Sequence, residues 1–123
     1  MIRAFRWVPV LGCVALIAGC GNAFQQGTRL AADEQYDRAV WKYVESLEEH
    51  PDSVAVREGL DMAKKHASAR HYEKALQHMA NKDDYSAASE LLRASHYDPD
   101  NELIREVLAA VQQRIVLSTG GRQ

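Results

Sequence analysis

Residues 36–51, YDRAVWKYVESLEEHP, decide the fold of this chain. Tyr36, Ala39, Tyr43 and Leu47 recur three to four residues apart, which places them on one face of a helix. Pro51 ends that helix, because proline lacks the backbone donor and drives the preceding residue out of the helical region. The stretch therefore predicts an amphipathic helix over about residues 36–49, with Val40 in the same stripe.

Two neighbouring segments also have helical periodicity. Residues 23–33 form the first predicted helix, with Phe24, Gly27, Leu30 and Ala31 on one face. Residues 53–81 contain no proline and carry two apolar stripes: Val56, Leu60, Ala63 and Ala67, then Ala69, Tyr72, Leu76 and Met79. We predict one long helix that changes packing partner near Ser68, and a break there, giving two helices, is the alternative.

Two more helices are predicted toward the C-terminus. Residues 85–97 would bury Ala87 or Ala88, Leu91, Leu92 and Ala94, and Pro99 would end that helix. Asp100 or Asn101 would cap the last helix. Its apolar positions are Leu103, Ile104, Val107, Leu108, Val111, Ile115 and Val116. Residues 118–123 are predicted to be a disordered tail.

Composition supports an all-α fold and excludes one class of partner. The 123 residues carry a formal charge of −2, and without Arg3 and Arg6 the chain has 13 basic against 17 acidic residues. No basic block occurs, so nucleic acid is not expected as a partner. Alternation of apolar and polar residues over a strand length is absent, whereas Ala, Leu, Glu, Lys, Arg and Gln dominate.

The segments before Pro51 and Pro99 have related spacing. Tyr36, Ala39, Tyr43, Ser46 and Pro51 are 3, 4, 3 and 5 residues apart, and Ala87, Leu91, Ala94 and Pro99 repeat the 4, 3 and 5. This pattern resembles the second helix of a tetratricopeptide repeat, where small residues let antiparallel helices approach and bulky residues fill the grooves. Gly27 and Leu30 fall at the glycine and aromatic positions of the first helix of such a repeat.

The resemblance implies two antiparallel helical hairpins of tetratricopeptide type, a long central helix and a C-terminal capping helix. The second copy is degenerate, because Asp84 holds the aromatic position with Tyr85 one step later, and Ala75 replaces the glycine. Its register is uncertain by one residue. A generic antiparallel helical bundle is the alternative fold.

The N-terminal segment has the features of an export signal. Arg3 and Arg6 precede an apolar run that ends in Ile17, Ala18, Gly19 and Cys20. This ending resembles the lipobox of bacterial lipoproteins, which implies cleavage after residue 19 and lipidation, including palmitate, at Cys20. Gly21 in place of aspartate implies the outer membrane, facing the periplasm. An uncleaved anchor, for which the run is short, and an ordinary secretory signal are the alternatives.

These features predict three segments: a signal peptide at 1–19, a tetratricopeptide-like helical domain at 20–117 and the tail at 118–123. A lipobox that is followed by one repeat, a long helix and a second repeat also resembles the N-terminal region of lipoprotein secretins. The β-rich channel domain of those proteins is not in this sequence. The resemblance implies an accessory or truncated component of a secretion or pilus system, as the alternative to a lipid-anchored adaptor or assembly protein.

No motif for catalysis stands out. A nucleophile elbow, a phosphate loop and a dinucleotide fingerprint are absent, so no enzyme activity, cofactor or metal is expected. His71 and His78 could in principle hold a metal or small ligand, but we interpret them as solvated helix residues, and Asp83-Asp84 as a helix N-cap. Trp41 is a candidate contact for an unidentified envelope protein if exposed. Packing beneath the tether or the long helix is the alternative.

Overall fold

The computed structural model describes residues 22–120, which form five helices and no strand. The helices are α1 (Ala23–Ala32), α2 (Tyr36–Glu49), α3 (Val54–Ala80), α4 (Asp84–Tyr97) and α5 (Glu102–Gly120). The predicted all-α class is confirmed, and α3 is one uninterrupted helix of 27 residues. The predicted signal segment and Cys20 lie outside the described residues.

Short polar side chains start four of the helices. Asn22, Ser53, Asp83 and Asn101 each accept a hydrogen bond from the backbone N–H three residues later, over 2.9–3.3 Å. These bonds satisfy N–H groups that have no partner within the helix. The expected role of Asp83 is therefore observed. Ser53 rather than Asp52, and Asn101 rather than Asp100, make the caps that the sequence left open.

The second half of the fold repeats the first at an offset of 48 residues, the separation between the starts of α2 at Tyr36 and of α4 at Asp84. The turns before both helices contain a residue with φ of 59°, Glu34 and Lys82. A left-handed residue is uncommon outside glycine, so its recurrence at the same offset marks a shared turn. Within this internal repeat, Asp84 corresponds to Tyr36.

The residues that end α2 and α4 have nearly the same backbone angles. His50 after α2 has φ −132° and ψ 72°, and Asp98 after α4 has φ −134° and ψ 72°. Each precedes a proline, which favours this extended backbone. The first repeat comprises α1, α2 and the first half of α3. The second comprises the remainder of α3 with α4 and α5, so α3 belongs to both.

Each repeat has its own apolar core. Ala39, Val40, Tyr43, Leu60 and Ala63 form the first cluster, and Ala75, Ala87, Leu91, Ala94, Ile104 and Val111 form the second. Tyr97 of α4 packs against the first cluster. The two cores are therefore joined through α3 and through this ring.

Tyr43 fills the first core by lying between two glycines. A Cβ placed on Gly27 of α1 would come within 3.1 Å of the Tyr43 ring, and one on Gly59 of α3 within 2.9 Å. The equivalents in the second repeat are Leu91 with Ala75 and Val107. A larger central residue is thus matched by smaller neighbours, as close packing requires.

Several predicted core positions are wrong. Leu92 is 52% exposed, and Leu76, Leu103 and Val116 are also exposed. In the second half of α3 the fully buried residues are Ser68, His71 and Ala75. Tyr72 and Met79 of the predicted stripe are half-buried against the second core, whereas Ala69 and Leu76 are exposed. The sequence predicts His71 at the surface, because its carboxylate partners lie on other helices and leave no signal within α3.

The C-terminal boundary also differs from the prediction. α5 continues to Gly120, three residues into the predicted tail. The hydroxyls of Ser118 and Thr119 donate to carbonyls one turn earlier, over 2.8–3.1 Å. Within residues 22–120, none of the helices combines the length and the apolar character needed to cross a bilayer.

Candidate functional site: the cleft between helices two and four

A cleft of about 410 Å³ lies between α2 and α4, above the middle of α3. It is lined by Asp37, His71, Leu92, Arg93, His96 and Tyr97. The cleft forms where the two repeats meet, because α2 and α4 are the corresponding helices of the repeats and α3 separates them. We call it the α2–α4 cleft.

His71 forms the floor of the cleft and bridges the repeats. Its Nδ1 lies 2.6 Å from a carboxylate oxygen of Glu90 on α4, and its Nε2 lies 3.0 Å from one of Asp37 on α2. Only 4% of the residue is exposed. A protonated imidazole can donate to both carboxylates at once, whereas a neutral ring has one N–H and would set a lone pair against the other carboxylate.

Tyr97 completes the floor. Its ring stacks on His71 with centroids 5.8 Å apart and planes 13° apart, and its hydroxyl lies close enough to the carboxylate of Asp37 for the two groups to shift each other's pKa. Burial, together with the interaction with Asp37 and the negative charge of that carboxylate, raises the pKa of Tyr97 to about 12. The ring is thus held between an imidazole and an anion.

Asp37 remains ionised in this setting. Burial raises the pKa of its carboxyl, but hydrogen bonds from Tyr97 and His71 and the positive charges of His71 and Lys74 outweigh burial and hold the pKa below its ordinary value. The side chain is 51% exposed. Asp37 therefore presents a fixed anionic group to whatever enters the cleft.

The rim of the cleft is mixed in character. Arg93 lies 3.9 Å from Glu90, and Leu92 adds exposed apolar surface. Trp41 comes one turn of α2 after Asp37, so the two side chains share a helix face. The indole is 74% exposed. The alternative that Trp41 packs beneath the long helix is therefore wrong.

A second polar cluster lies on the side of α3 nearer the α1–α2 turn. The rings of Tyr36 and His66 stack with centroids 4.7 Å apart. The guanidinium of Arg70 lies 5.8 Å from the centre of the Tyr36 ring and 2.7 Å from the carboxylate of Glu34. These contacts hold the first turn of α2 against α3.

The contacts within the α2–α4 cleft fix the positions of its polar side chains, so the cleft is suited to presenting those side chains to a bound molecule. Both ring nitrogens of His71 are engaged by carboxylates, so this conformation leaves none to bind a metal or to take a proton from a substrate. His71 is buried, and the interpretation of it as a solvated helix residue is wrong. His78 instead lies 3.7 Å from Asp83. Within residues 22–120 no cluster of three metal-ligating side chains occurs.

The residues proposed for repeat packing occupy the interior to different extents. Gly27, Ala39, Tyr43, Ala87, Leu91 and Ala94 are buried, Leu30 and Tyr36 are half-buried, and Pro51 and Pro99 are exposed beyond the helix ends. Trp41 lies apart from all of them, on the outer face of α2. Cys20, the proposed lipidation site, lies outside the described residues.

Sequence reasoning missed Asp37, Glu90 and Tyr97 as a group, and it missed Gly59. One signal for His71 was present, because Ala67, His71 and Ala75 are four residues apart and continue a buried stripe along α3. The carboxylates come from helices far away in sequence, 34 and 19 residues from His71. Periodicity within one helix cannot reveal such pairs.

Comparison with protein-family models, with curated proteins and with solved structures gave no match.

Proposed function

We propose that this chain is a lipid-anchored, non-enzymatic interaction protein of the bacterial envelope, acting as an adaptor or assembly factor. The observation that carries the proposal is the exposure of Trp41 on the outer face of α2, one helical turn from Asp37 of the α2–α4 cleft. A large exposed indole next to oriented polar groups is the kind of residue that dominates the energy of protein–protein contacts.

The α2–α4 cleft supplies charged and apolar groups near Trp41 for such a contact. Asp37 offers a fixed carboxylate, and Arg93 and Leu92 offer a cation and apolar area. Because His71, Glu90 and Tyr97 hold one another in place, little entropy would be lost in ordering this surface on binding. The mixed, partly charged character fits a contact that forms between separately folded proteins.

The proposed arrangement of the two hairpins is tetratricopeptide-like. The 48-residue offset shared by turns, helix ends and core positions supports an internal repeat, and its excess over the family's period of about 34 residues comes from the long helix α3 that both repeats share. Repeats of this kind stack and offer extended surfaces made of several helices. In the proposed arrangement α5 caps the second repeat.

The lipid anchor rests on the sequence around Cys20. Ile17, Ala18 and Gly19 precede it, and acyl chains added there would hold the helical domain at the outer membrane. The proposed anchor fixes the location, and the Trp41 surface would then select the partner.

The anchor is tested by replacing Cys20 with serine in the full chain and fractionating the cells. The original chain is expected in the membrane fraction, with the mass of a chain that starts at Cys20 and carries diacylglycerol and an amide-linked acyl group. The variant is expected to lose those groups. An unchanged membrane fraction without acyl mass on the original chain would overturn the anchor.

The partner is tested by purifying the tagged full chain from solubilised envelopes, with Trp41→Ala as the comparison. A protein recovered with the original chain and lost with the variant supports the adaptor. If that protein is a channel or pilus subunit, the secretion-related alternative is the specific role. Equal recovery of all proteins with both chains would overturn the use of Trp41.

A further inference from the structure

The proposed lipid anchor lies next to the start of the helical domain. Only Gly21 separates Cys20 from Asn22, the first residue that the structure describes. The Asn22 side chain accepts a hydrogen bond from the N–H of Gln25 over 2.9 Å, and its carbonyl accepts one from Gln26 over 3.0 Å. Because a residue spans at most about 3.6 Å of chain, the Cα atoms of Cys20 and Asn22 lie within about 7 Å of each other.

The packing of α1 against α2 sets the distance from Asn22 to Trp41. Gly27 of α1 lies against the ring of Tyr43 on α2, and it comes about 7.5 Å after Asn22 along the helix axis. Trp41 is two residues from Tyr43, on a helix whose axis lies about 8–10 Å from that of α1. Trp41 is therefore within about 25 Å of Cys20.

The end of the domain beside the anchor is acidic. Because α2 runs antiparallel to α1, its C-terminal end lies on the same side of the domain as Asn22. Glu48 and Glu49 end α2, Asp52 follows in the turn, and all three are exposed. Arg57 lies 4.0 Å from Asp52. A surface with this excess of carboxylates is unsuited to binding anionic lipid headgroups, so it does not draw the domain down onto the bilayer.

We propose that Trp41 binds a protein held at the same membrane, through a segment of that protein that lies within about 25 Å of the bilayer surface. This proposal rests on the proposed lipid anchor at Cys20 and names the class of partner that Trp41 takes. The short connection between Cys20 and Asn22 keeps Trp41 at that height. A partner held at the same bilayer then meets Trp41 at a high effective concentration, which a freely diffusing partner does not have.

The bilayer itself is the rival occupant for Trp41, because tryptophan is enriched at membrane interfaces. Asp37, Arg38 and Glu45 lie one helical turn from Trp41 and share its side of α2. A helix that binds a membrane instead presents a continuous apolar face, and the apolar face of α2 is buried in the first core. A single indole among charges of both signs fits a contact with a protein.

Photo-crosslinking from position 41 in cells tests the height of the contact. A helical spacer of alanine, glutamate and lysine, about 20 residues and 30 Å long, is inserted between Gly21 and Asn22 to lift the domain away from the bilayer. A glycine–serine spacer of equal length is the matched control, because a flexible chain lets the domain return to the surface. The adduct is expected to fall at least about tenfold with the helical spacer and to persist with the flexible one.

Measuring the acyl mass at Cys20 in the same cells separates the failure of this proposal from the failure of the anchor. An acylated chain that gives equal adducts with and without the helical spacer would overturn the proposal and leave the anchor in place. Loss of the adduct with both spacers would show that height is not the cause. An original chain without acyl groups would overturn the anchor, and this proposal with it.

Fluorescence distinguishes a protein partner from the bilayer. From residue 20 onward the chain has one cysteine, Cys20, and one tryptophan, Trp41, and this part contains all five helices. Residues 20–123 are coupled through Cys20 to a maleimide lipid in vesicles of phosphatidylethanolamine and phosphatidylglycerol. Nitroxide labels on the lipid headgroups are expected to leave the Trp41 emission unchanged. Strong quenching would place the indole in the bilayer and overturn the choice of a protein as its partner.

Discussion

Arg114 donates two hydrogen bonds to the carboxylate of Asp84, over 2.7 and 3.2 Å. At the corresponding positions of the first repeat, 48 residues earlier, His66 stacks on Tyr36. Each pair ties the first turn of a hairpin's second helix to the next helix along the chain. The repeat therefore keeps a contact between two helices while its chemistry changes from aromatic stacking to an ion pair.

The fit of Tyr43 against Gly59 leads to a prediction about stability. Gly59→Ala places a Cβ 2.9 Å from the ring, and overpacking of this kind costs about 1–3 kcal/mol. The better helix propensity of alanine offsets up to about 1 kcal/mol. Urea unfolding is therefore expected to show a net loss of stability.

Tyr43→Leu in the same chain provides the control, because it copies the Leu91 arrangement of the second repeat. Gly59→Ala is expected to cost less in the Tyr43→Leu background than in the original chain, which a double-mutant cycle measures. An equal cost in both backgrounds would show that the ring is not the obstacle.

The bridge from His71 to Glu90 predicts a large effect of removing the imidazole. His71→Ala leaves the Glu90 carboxylate, which is 15% exposed, without its nearest partner. Breaking a buried pair costs about 3 kcal/mol or more in the free energy of unfolding. His50→Ala, at an exposed histidine, is expected to stay within about 0.5 kcal/mol.

Replacing both His71 and Glu90 distinguishes two effects on stability: the loss of their hydrogen bond and the burial of an unpaired Glu90 carboxylate. Because an apolar pair of similar volume can replace a buried ion pair at little cost, His71→Leu with Glu90→Leu is expected to be more stable than His71→Leu alone. If the double variant is the less stable of the two, the stranded carboxylate is not the source of the effect.

The burial of Tyr97 beside the Asp37 carboxylate predicts that its phenol titrates at high pH. The ultraviolet difference between the original chain and Tyr97→Phe is expected to rise with a pKa of about 12. Asp37→Asn is expected to lower that value, because it removes the negative charge beside the phenol. A Tyr97 titration near 10 in the folded chain would contradict the geometry.

The same raised pKa affects stability in alkali. Below pH 10.0 the hydroxyl is neutral in folded and unfolded chains, and above it the unfolded chain ionises first. The free energy of unfolding is therefore expected to fall between pH 10.0 and about 12, and to fall less in Tyr97→Phe. Parallel curves for the two chains would contradict this linkage.

Asp37 predicts a loss of stability in acid. The pKa of its carboxyl in the folded chain lies below 3.8. Its contribution to the free energy of unfolding is therefore present above that value and is lost as the pH falls through the folded pKa. Acid titration of unfolding is expected to be shallower in Asp37→Asn below about pH 4. An identical acid limb in both chains would show that the carboxylate gains nothing on folding.

The helices could be predicted well because their signals are local. The start of α2 at Tyr36 and its end before Pro51 arise from periodicity and from proline. The interior of α3 was predicted less well, since Ser68 and His71 are buried through partners on other helices. Leu92 and Val116 are exposed, which the sequence did not predict, because helical periodicity marks an apolar stripe without showing how much of it the neighbouring helices cover.

The candidate site could be predicted only in part. Trp41 was named from its position opposite Ala39 and Tyr43 on the helix, and its exposure is an observation of the structure. The floor of the cleft joins Asp37 and Glu90 through His71, and its three members come from three helices. Such a group becomes visible once the helices are packed.

The central claim, that this surface meets a partner at the membrane, is tested most directly by photo-crosslinking in cells. A photoreactive residue replaces Trp41 in the full chain, with exposed Glu58 of α3 as the matched position. One light-dependent adduct with another envelope protein is expected at position 41, and none is expected at position 58. The adduct at position 41 is expected to be lost when Cys20 is replaced by serine. Adducts at neither position, or an adduct at 41 that is indifferent to Cys20, would contradict the account.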